Sequence, residues 1–207
     1  MDILAPPDFL PTGQVKTRAQ AMKDGDWVGI FNLWIVSRLS VPSIIYQQRG
    51  PDRSWGANLL DVAVGGHYQA GETKLDGLRE AEEEIGKTYD PSKILYLSRK
   101  MHVGEPTEFG RKMNILELYM TEDNEPLSSF KLDSKEVYAI CSCPITDLLR
   151  VHHDDSYTFP AQAVRYDGRP YTIHVKKGSF PHNWDDYHFK IALLAERYFK
   201  GERDLIY

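Results

Sequence analysis

The sequence predicts a mixed β-sheet with α-helices packed against it, and three observations lead to that fold class. Runs of β-branched and aromatic residues recur along the chain and predict strands. A Glu-rich segment with helical spacing follows a Gly-Gly pair, and a second amphipathic segment lies near the C-terminus. Because this order is not a regular repeat of βαβ units, we expect strands of mixed direction.

Six segments of the core are predicted as strands because they are apolar runs bounded by turn residues. They cover residues 28–37, 44–49, 59–64, 93–103, 113–120 and 136–142. The first two are separated by a short turn that contains Pro42 and are predicted to form a hairpin. All 207 residues are interpreted as a single domain.

Helices are predicted at three places before the C-terminal part of the chain. Residues 1–27 form a leader, rich in Pro, Gly and charge, with a short helix around residues 18–23. The Glu-rich helix runs from about residue 74 to 86, and Pro144 opens a short helix through about residue 150. Residues 28–150 then form the core of the domain.

The C-terminal extension, residues 151–207, has its own organisation. An Asp-Gly pair between two alternating runs predicts a hairpin over residues 163–175. Residues 183–200 are predicted to form an amphipathic helix that is capped by Asn183 and ended by Gly201. The sequence leaves open whether this extension covers a pocket or builds a homodimer interface.

Composition excludes several classes of function. The net charge of −5 provides no broad basic field, so we do not expect general nucleic-acid binding. No apolar run reaches the roughly 18 residues that span a bilayer, and the N-terminus does not resemble a secretory signal. Cys141 and Cys143 fall on one face of a strand and are predicted to be reduced, buried thiols. Together these features predict a cytoplasmic protein without a membrane partner.

Carboxylates cluster on one face of the Glu-rich helix. At about 100° per residue, four acidic side chains share an arc of about 100°; they are Asp76, Glu80, Glu83 and Glu84. The opposite arc is apolar and should face the core; it contains Leu75, Leu78, Ala81 and Ile85. Like charges at this spacing repel, and a hard cation such as Mg²⁺ would reverse that cost. The helix taken alone also allows a solvated acidic face.

The ends of this helix carry their own signals. Thr73, three residues before Asp76, predicts a capping box in which the Thr hydroxyl accepts a backbone N–H. Gly86 predicts a left-handed C-terminal cap.

The glycine loop and the helix together resemble the signature of the Nudix hydrolases. Gly66, five residues and Glu72 match its first half, and residues 79–86 match its Arg-Glu-rich second half. Two departures are present: six residues rather than seven precede Arg79, and Lys87 replaces a final apolar residue. The leader also resembles the branch related to isopentenyl diphosphate isomerase. The resemblance implies an α/β/α sandwich with a mixed sheet, to which the C-terminal hairpin and helix are added.

The resemblance also implies roles for individual residues. Glu80, Glu83 and Glu84 would bind Mg²⁺, with Mn²⁺ as an alternative ion, and one of them or another Glu would act as general base. The backbone carbonyl of Gly65 would lie near the metal. Four residues would have structural roles, with Arg79 orienting the helix through Glu72; the set is Gly66, Glu72, Arg79 and Gly86.

Five further residues are candidates for substrate binding or for the base. Arg49 is a candidate phosphate clamp, and His67 follows the glycine pair. Glu105 and Glu108 lie in a predicted loop, and Glu117 lies inside a predicted strand. For each of them the simpler alternative is an exposed or ion-paired surface residue.

The predicted function is Mg²⁺-dependent cleavage of a diphosphate linkage in a small molecule, either a nucleoside diphosphate derivative or a nucleoside di- or triphosphate. One alternative is a non-catalytic nucleotide-binding sensor. A second is an isomerase of isopentenyl diphosphate, which needs a Cys near the glycine loop. The segment AVGGHYQ contains none.

Overall fold

The computed structural model describes residues 1–53, 55–182 and 185–207. Within these residues, eleven strands form one sheet. The strands are β1 (Asp2–Ala5), β2 (Leu10–Val15), β3 (Trp27–Ser37), β4 (Ser43–Arg49), β5 (Leu60–Val62), β6 (Val64–His67), β7 (Leu95–Val103), β8 (Met113–Glu122), β9 (Val137–Pro144), β10 (Phe159–Arg165) and β11 (Pro170–Val175). The described α-helices are α1 (Arg18–Asp24), α2 (Arg79–Ile85), α3 (Ile145–His153) and α4 (Tyr187–Phe199).

The sheet is mixed, as predicted. Its main path runs β11-β10-β9-β4-β3-β1-β2. The long strand β3 pairs in parallel with β8 and antiparallel with β4 and β6. β7 continues beyond β8, and β5 pairs with β4. The central position of β3 places one strand in contact with both the glycine loop and the rest of the sheet.

Helices cover both faces of this sheet. Because side chains alternate along a strand, Phe31 and Leu33 of β3 pack in one core cluster with Ala81 of α2. Trp34 packs in a second cluster with residues of α3 and α4, including Ile191. The predicted α/β/α sandwich is therefore confirmed.

The C-terminal extension is part of the same sheet. β10 pairs with β9 and forms the predicted hairpin with β11, and Gly168 adopts a φ of 80° in the turn. α4 buries its apolar face against the sheet and ends before Gly201, as predicted. The helix begins at Tyr187, and its predicted cap, Asn183, lies outside the described residues.

Two elements differ from the sequence-based expectation. The leader contains the predicted helix α1 but also the hairpin of β1 and β2, which was not predicted. Every residue of β2 is exposed, so no alternating burial pattern marks it as a strand. The single strand expected over residues 59–64 is divided into β5 and β6, because the chain changes neighbours from β4 to β3.

The two cysteines lie in the core on the side of α3 and α4. Cys141 and Cys143 are fully buried, free thiols with sulfur atoms 4.0 Å apart. Within the described part of the chain, no helix has both the length and the apolar character needed to cross a bilayer.

α4 carries a buried histidine whose protonation is expected to destabilise the fold in acid. His188 is 3% exposed, and neither ring nitrogen has a hydrogen-bond partner among the described residues. Burial, assisted by His152 and Lys100, lowers the pKa of His188 to about 3, while Asp185 acts in the opposite direction. The unfolded chain therefore binds a proton near its ordinary value of 6.5, before the folded protein does.

We expect His188→Leu to reduce the loss of stability in acid. The free energy of unfolding of the variant minus that of the wild type should increase by about 1.4 kcal/mol for each pH unit below pH 6.5, until about pH 3. Urea unfolding at several pH values measures this difference. His174, an exposed residue of β11, provides the control, since His174→Gln should follow the wild type. A constant difference between His188→Leu and the wild type across this range would contradict the prediction.

Candidate active site

The entry to the Glu-rich helix is tighter than predicted. Residues Asp76–Leu78 form a 3₁₀ turn, and α2 begins at Arg79. The carboxylate of Asp76 accepts hydrogen bonds from both the N–H and the hydroxyl of Thr73, each at 2.7 Å. The prediction that the Thr73 hydroxyl accepts a helix N–H is therefore wrong: Asp76 serves as the acceptor, and it does not join the other three acids. Leu75, expected in the core, is 38% exposed because it precedes the regular helix.

Arg79 and Glu72 are paired across the shortened spacing. The Nε of Arg79 lies 2.5 Å from one carboxylate oxygen of Glu72, and Nη2 lies 3.2 Å from the other. Nη2 also donates to the carbonyl oxygen of His67 at 3.2 Å. The hydrogen bond from Arg79 lowers the pKa of Glu72. This fork joins the glycine loop to the first turn of α2.

Glu80 lies directly against the glycine loop. One of its carboxylate oxygens is 2.8 Å from Nη1 of Arg79. A Cβ added at Gly66 would overlap the carboxylate of Glu80, so only glycine allows this close approach. Burial raises the pKa of Glu80, although Arg79 opposes the shift.

Glu83 and Glu84 differ in exposure. Glu83 is exposed, and one of its oxygens lies 3.3 Å from Nη1 of Arg79. Glu84 is 7% exposed and accepts a hydrogen bond of 3.2 Å from the N–H of Gly65. Burial is the main reason why the pKa of Glu84 rises to about 8; the Gly65 N–H opposes this shift, and the charge of Glu80 adds to it.

The Gly65 carbonyl points to the same edge of β6 as Glu84. In an extended strand, the N–H and the C=O of one residue face the same neighbour. Since the N–H of Gly65 donates to Glu84, its carbonyl also faces away from β3. α2 follows the strand at the predicted place and ends in a left-handed cap at Gly86, with a φ of 64°.

These oxygen atoms fit a divalent cation by their chemistry. The donors are hard oxygens, the type that Mg²⁺ prefers. Glu80 occupies a space that only Gly66 leaves free, and Glu84 is a buried acid whose charge is not balanced by an ion pair within the described residues. The same residues do not form a preassembled cluster of three ligands, because Arg79 holds Glu80 and Glu83.

The five secondary candidates occupy different surroundings. Glu117 is 6% exposed on the α2 face of the sheet, where Tyr96 donates to it at 2.8 Å and Arg99 pairs with it at 2.6 Å. Glu105 and Glu108 are exposed in the loop between β7 and β8. Arg111, three residues after Glu108, donates its N–H to the carbonyl oxygen of Met22 in α1.

Arg49 is the last residue of β4, and His67 is the last residue of β6. Arg49 pairs with Asp61 at 3.3 Å, and its guanidinium lies 4.8 Å from the ring centre of Trp55. Arg49 also lies close enough to Glu84 to lower its pKa. Burial lowers the pKa of His67 to about 4, and Arg18 and Lys112 add to this shift.

Sequence reasoning missed one residue beside the site and a second residue that binds it. Asn32 faces Gly65 across β3 and β6, and Tyr187 hydrogen-bonds to Asn32 from α4. Asn32 was interpreted only as part of an apolar strand, and Tyr187 only as part of an amphipathic helix. No local signal connects them, because they are 155 positions apart.

Comparison with known proteins gives one curated relative that spans most of the chain. An uncharacterized Nudix hydrolase from Clostridium acetobutylicum is 26% identical over 192 residues, which cover 88% of this chain and 91% of that protein. This chain is therefore similar to a Nudix hydrolase over most of its length. No protein-family model matches it. The shortened Nudix signature retains its Glu72–Arg79 pair, and a 3₁₀ turn lies between the two residues.

Solved structures show the same Nudix fold. The Deinococcus radiodurans protein DR0079 has a TM-score of 0.52 and 19% identity, with coverage of 73% of this chain and 88% of that one. A MutT/nudix family protein from Enterococcus faecalis has a TM-score of 0.51 and 14% identity, covering 93% and 66%. A Nudix hydrolase from Alicyclobacillus acidocaldarius has a TM-score of 0.50 and 13% identity, covering 82% and 91%.

Proposed function

We propose that this Nudix protein is a Mg²⁺-dependent hydrolase of a diphosphate linkage in a nucleoside diphosphate derivative or a nucleoside di- or triphosphate. The observation that carries the proposal is the placement of Glu80 and Glu84 against the backbone of Gly65 and Gly66, with Glu83 exposed on the same helix, 3.3 Å from Arg79. Members of this family generally use a divalent metal, and the oxygen donors of this chain suit Mg²⁺ or Mn²⁺.

The three glutamates differ in burial, and this difference suggests which of them bind the metal and which acts as the base. Glu80 and Glu84 are held against the glycine loop and, with the Gly65 carbonyl, would hold the metal. When bound, Mg²⁺ neutralises charge on the diphosphate and acidifies a water molecule. Glu83 is exposed, and Arg79 lies 3.3 Å from one of its carboxylate oxygens, so the other oxygen would accept a proton from the attacking water.

The other residues of the site position these groups. Arg79 fixes the glycine loop through Glu72 and the His67 carbonyl, and it limits the repulsion between Glu80 and Glu83. Arg49 would contact a phosphate on the side of the loop nearest Glu84.

The isomerase alternative lacks an accessible thiol. Cys141 and Cys143 are fully buried beside α3, on the sheet face opposite α2. Carbon protonation by a Cys would need a sulfur atom at the glycine loop, and residues 63–69 contain no Cys. The hydrolase proposal therefore accounts for the acidic side chains better.

A substrate panel with matched variants tests the proposal. Release of phosphate or mononucleotide would be measured from nucleoside di- and triphosphates and nucleoside diphosphate derivatives, with Mg²⁺ and with EDTA. We expect Mg²⁺-dependent turnover of at least one compound and a loss of about 10²- to 10⁴-fold in Glu83→Gln, since this removes the general base. Glu82→Gln is the control, because Glu82 is exposed on the same helix and contacts none of the other acids in the described residues.

One result would reject hydrolysis, and another would reject only the assignment of Glu83 as the base. Ligand binding without turnover of any compound would favour a nucleotide sensor. Equal turnover in Glu83→Gln and Glu82→Gln would show that a different group accepts the proton.

A further inference from the structure

The first residue of α4 reaches the strand beside the glycine loop. The Tyr187 side chain is buried, and its hydroxyl oxygen accepts hydrogen bonds from Nδ2 of Asn32 and from Nε1 of Trp34, both at 3.0 Å. Asn32 and Trp34 are two residues apart on β3 and share one face of the sheet. The C-terminal extension is therefore fixed to the centre of β3 by a pair of buried hydrogen bonds.

Asn32 transmits this contact to Gly65. The two residues are opposite each other in the antiparallel pairing of β3 and β6. The Oδ1 atom of Asn32 lies 3.0 Å from the position that a Cβ at residue 65 would occupy. Because Tyr187 binds the amide nitrogen, the amide oxygen of Asn32 is held against the backbone of Gly65.

Gly65 completes the connection to the acidic helix. Its N–H donates to Glu84, and its carbonyl faces the same edge of β6. We propose that Tyr187 is a positioning residue: through Asn32 it sets the backbone of Gly65, and so the place of Glu84 and of the Gly65 carbonyl at the metal site. This inference rests on the proposed function and assigns a role to residues 151–207.

The ring of Tyr187 is held from several sides, so the hydroxyl can be removed without removing the side chain. It packs edge-on against Trp34, with 5.4 Å between ring centres, and against Tyr207 at 5.5 Å. The ammonium of Lys100 lies 5.2 Å from its ring centre and 3.4 Å from Asp185. Tyr187→Phe keeps these ring contacts and removes only the acceptor of Asn32 and Trp34.

A matched pair of tyrosine variants tests the proposal. Tyr198 lies on the same helix, and its hydroxyl donates to Glu122 at 3.0 Å, at the end of β8 away from Gly65. We expect kcat of Tyr187→Phe to fall about ten-fold with KM nearly unchanged, whereas Tyr198→Phe stays close to the wild type. In the metal-free protein, amide exchange at Gly65 should accelerate about ten-fold relative to Leu118 in Tyr187→Phe alone.

A second variant breaks the same contact from β3, so that α4 itself is unchanged. Asn32→Ala should accelerate exchange at Gly65 as Tyr187→Phe does, and the double variant should add little, because both changes break one connection. The proposal is overturned if Gly65 exchanges at the wild-type rate in Tyr187→Phe, or if Tyr198→Phe has the same effect. The amide measurement needs no turnover, so it is separate from a failure of the hydrolase proposal, which would appear as an inactive wild type.

Discussion

Replacing Glu84 with Gln is expected to inactivate the enzyme and to stabilise the metal-free protein. The pKa of Glu84 is about 8 in the folded state against an ordinary value of 4.5, because the carboxylate is buried. Above pH 4.5 the unfolded chain therefore releases this proton while the folded protein keeps it, so stability falls as the pH rises to about 8. The uncharged Gln has no such cost and still offers an oxygen to the Gly65 N–H.

The expected gain for Glu84→Gln at pH 7 is roughly 3 kcal/mol in the free energy of unfolding measured in EDTA. The gain should be small at pH 5 and largest near pH 8. With Mg²⁺ present, turnover should fall by at least about 100-fold, since a metal ligand supplies several kcal/mol of transition-state stabilisation. If the variant is less stable than the wild type in EDTA at pH 8, the ionised Glu84 carboxylate does not destabilise the metal-free protein, and this account of Glu84 is wrong.

Gly66→Ala is the second change with a large expected effect. The added methyl group would overlap the Glu80 carboxylate, so Glu80 must leave its place against the loop. We expect a loss of kcat of at least about 100-fold and only a small loss of stability, because the displaced atoms are the end of a flexible side chain. Steady-state kinetics at saturating Mg²⁺ and urea unfolding measure the two effects.

Gly178→Ala is the control for this substitution. Gly178 has open space around its Cα and lies in a 3₁₀ turn of the C-terminal extension. It should retain wild-type activity and stability. If Gly66→Ala kept wild-type kcat, the close approach of Glu80 to the loop would have no part in catalysis.

Local chemistry explains which parts of the fold were predictable. β3 and β4 were recognised because their apolar runs are long and buried, and the second hairpin because Asp167 and Gly168 mark its turn. β2 escaped prediction because backbone pairing alone defines it, with every side chain exposed. β5 pairs with β4, whereas β6 pairs with β3. The alternation of side chains along the sequence does not show where this change of partner strand occurs.

The placement of two acids on one face of α2 was predictable from local spacing. The positions of Glu80 and Glu84 follow from the helix period and from the signature. The helix period did not predict the position of Asp76, because its carboxylate accepts hydrogen bonds from Thr73 and the regular helix starts only at Arg79. The link from Tyr187 to Asn32 depends on the packing of α4, which long-range contacts decide.

The most direct test of the metal site is calorimetric titration of the metal-free protein with Mn²⁺. The wild type and Glu82→Gln should bind the ion with the same affinity, whereas Glu80→Gln should bind it at least about ten-fold more weakly, because one charged oxygen ligand is lost. Equal Mn²⁺ affinity in all three proteins would contradict the assignment of the metal to the acidic face of α2.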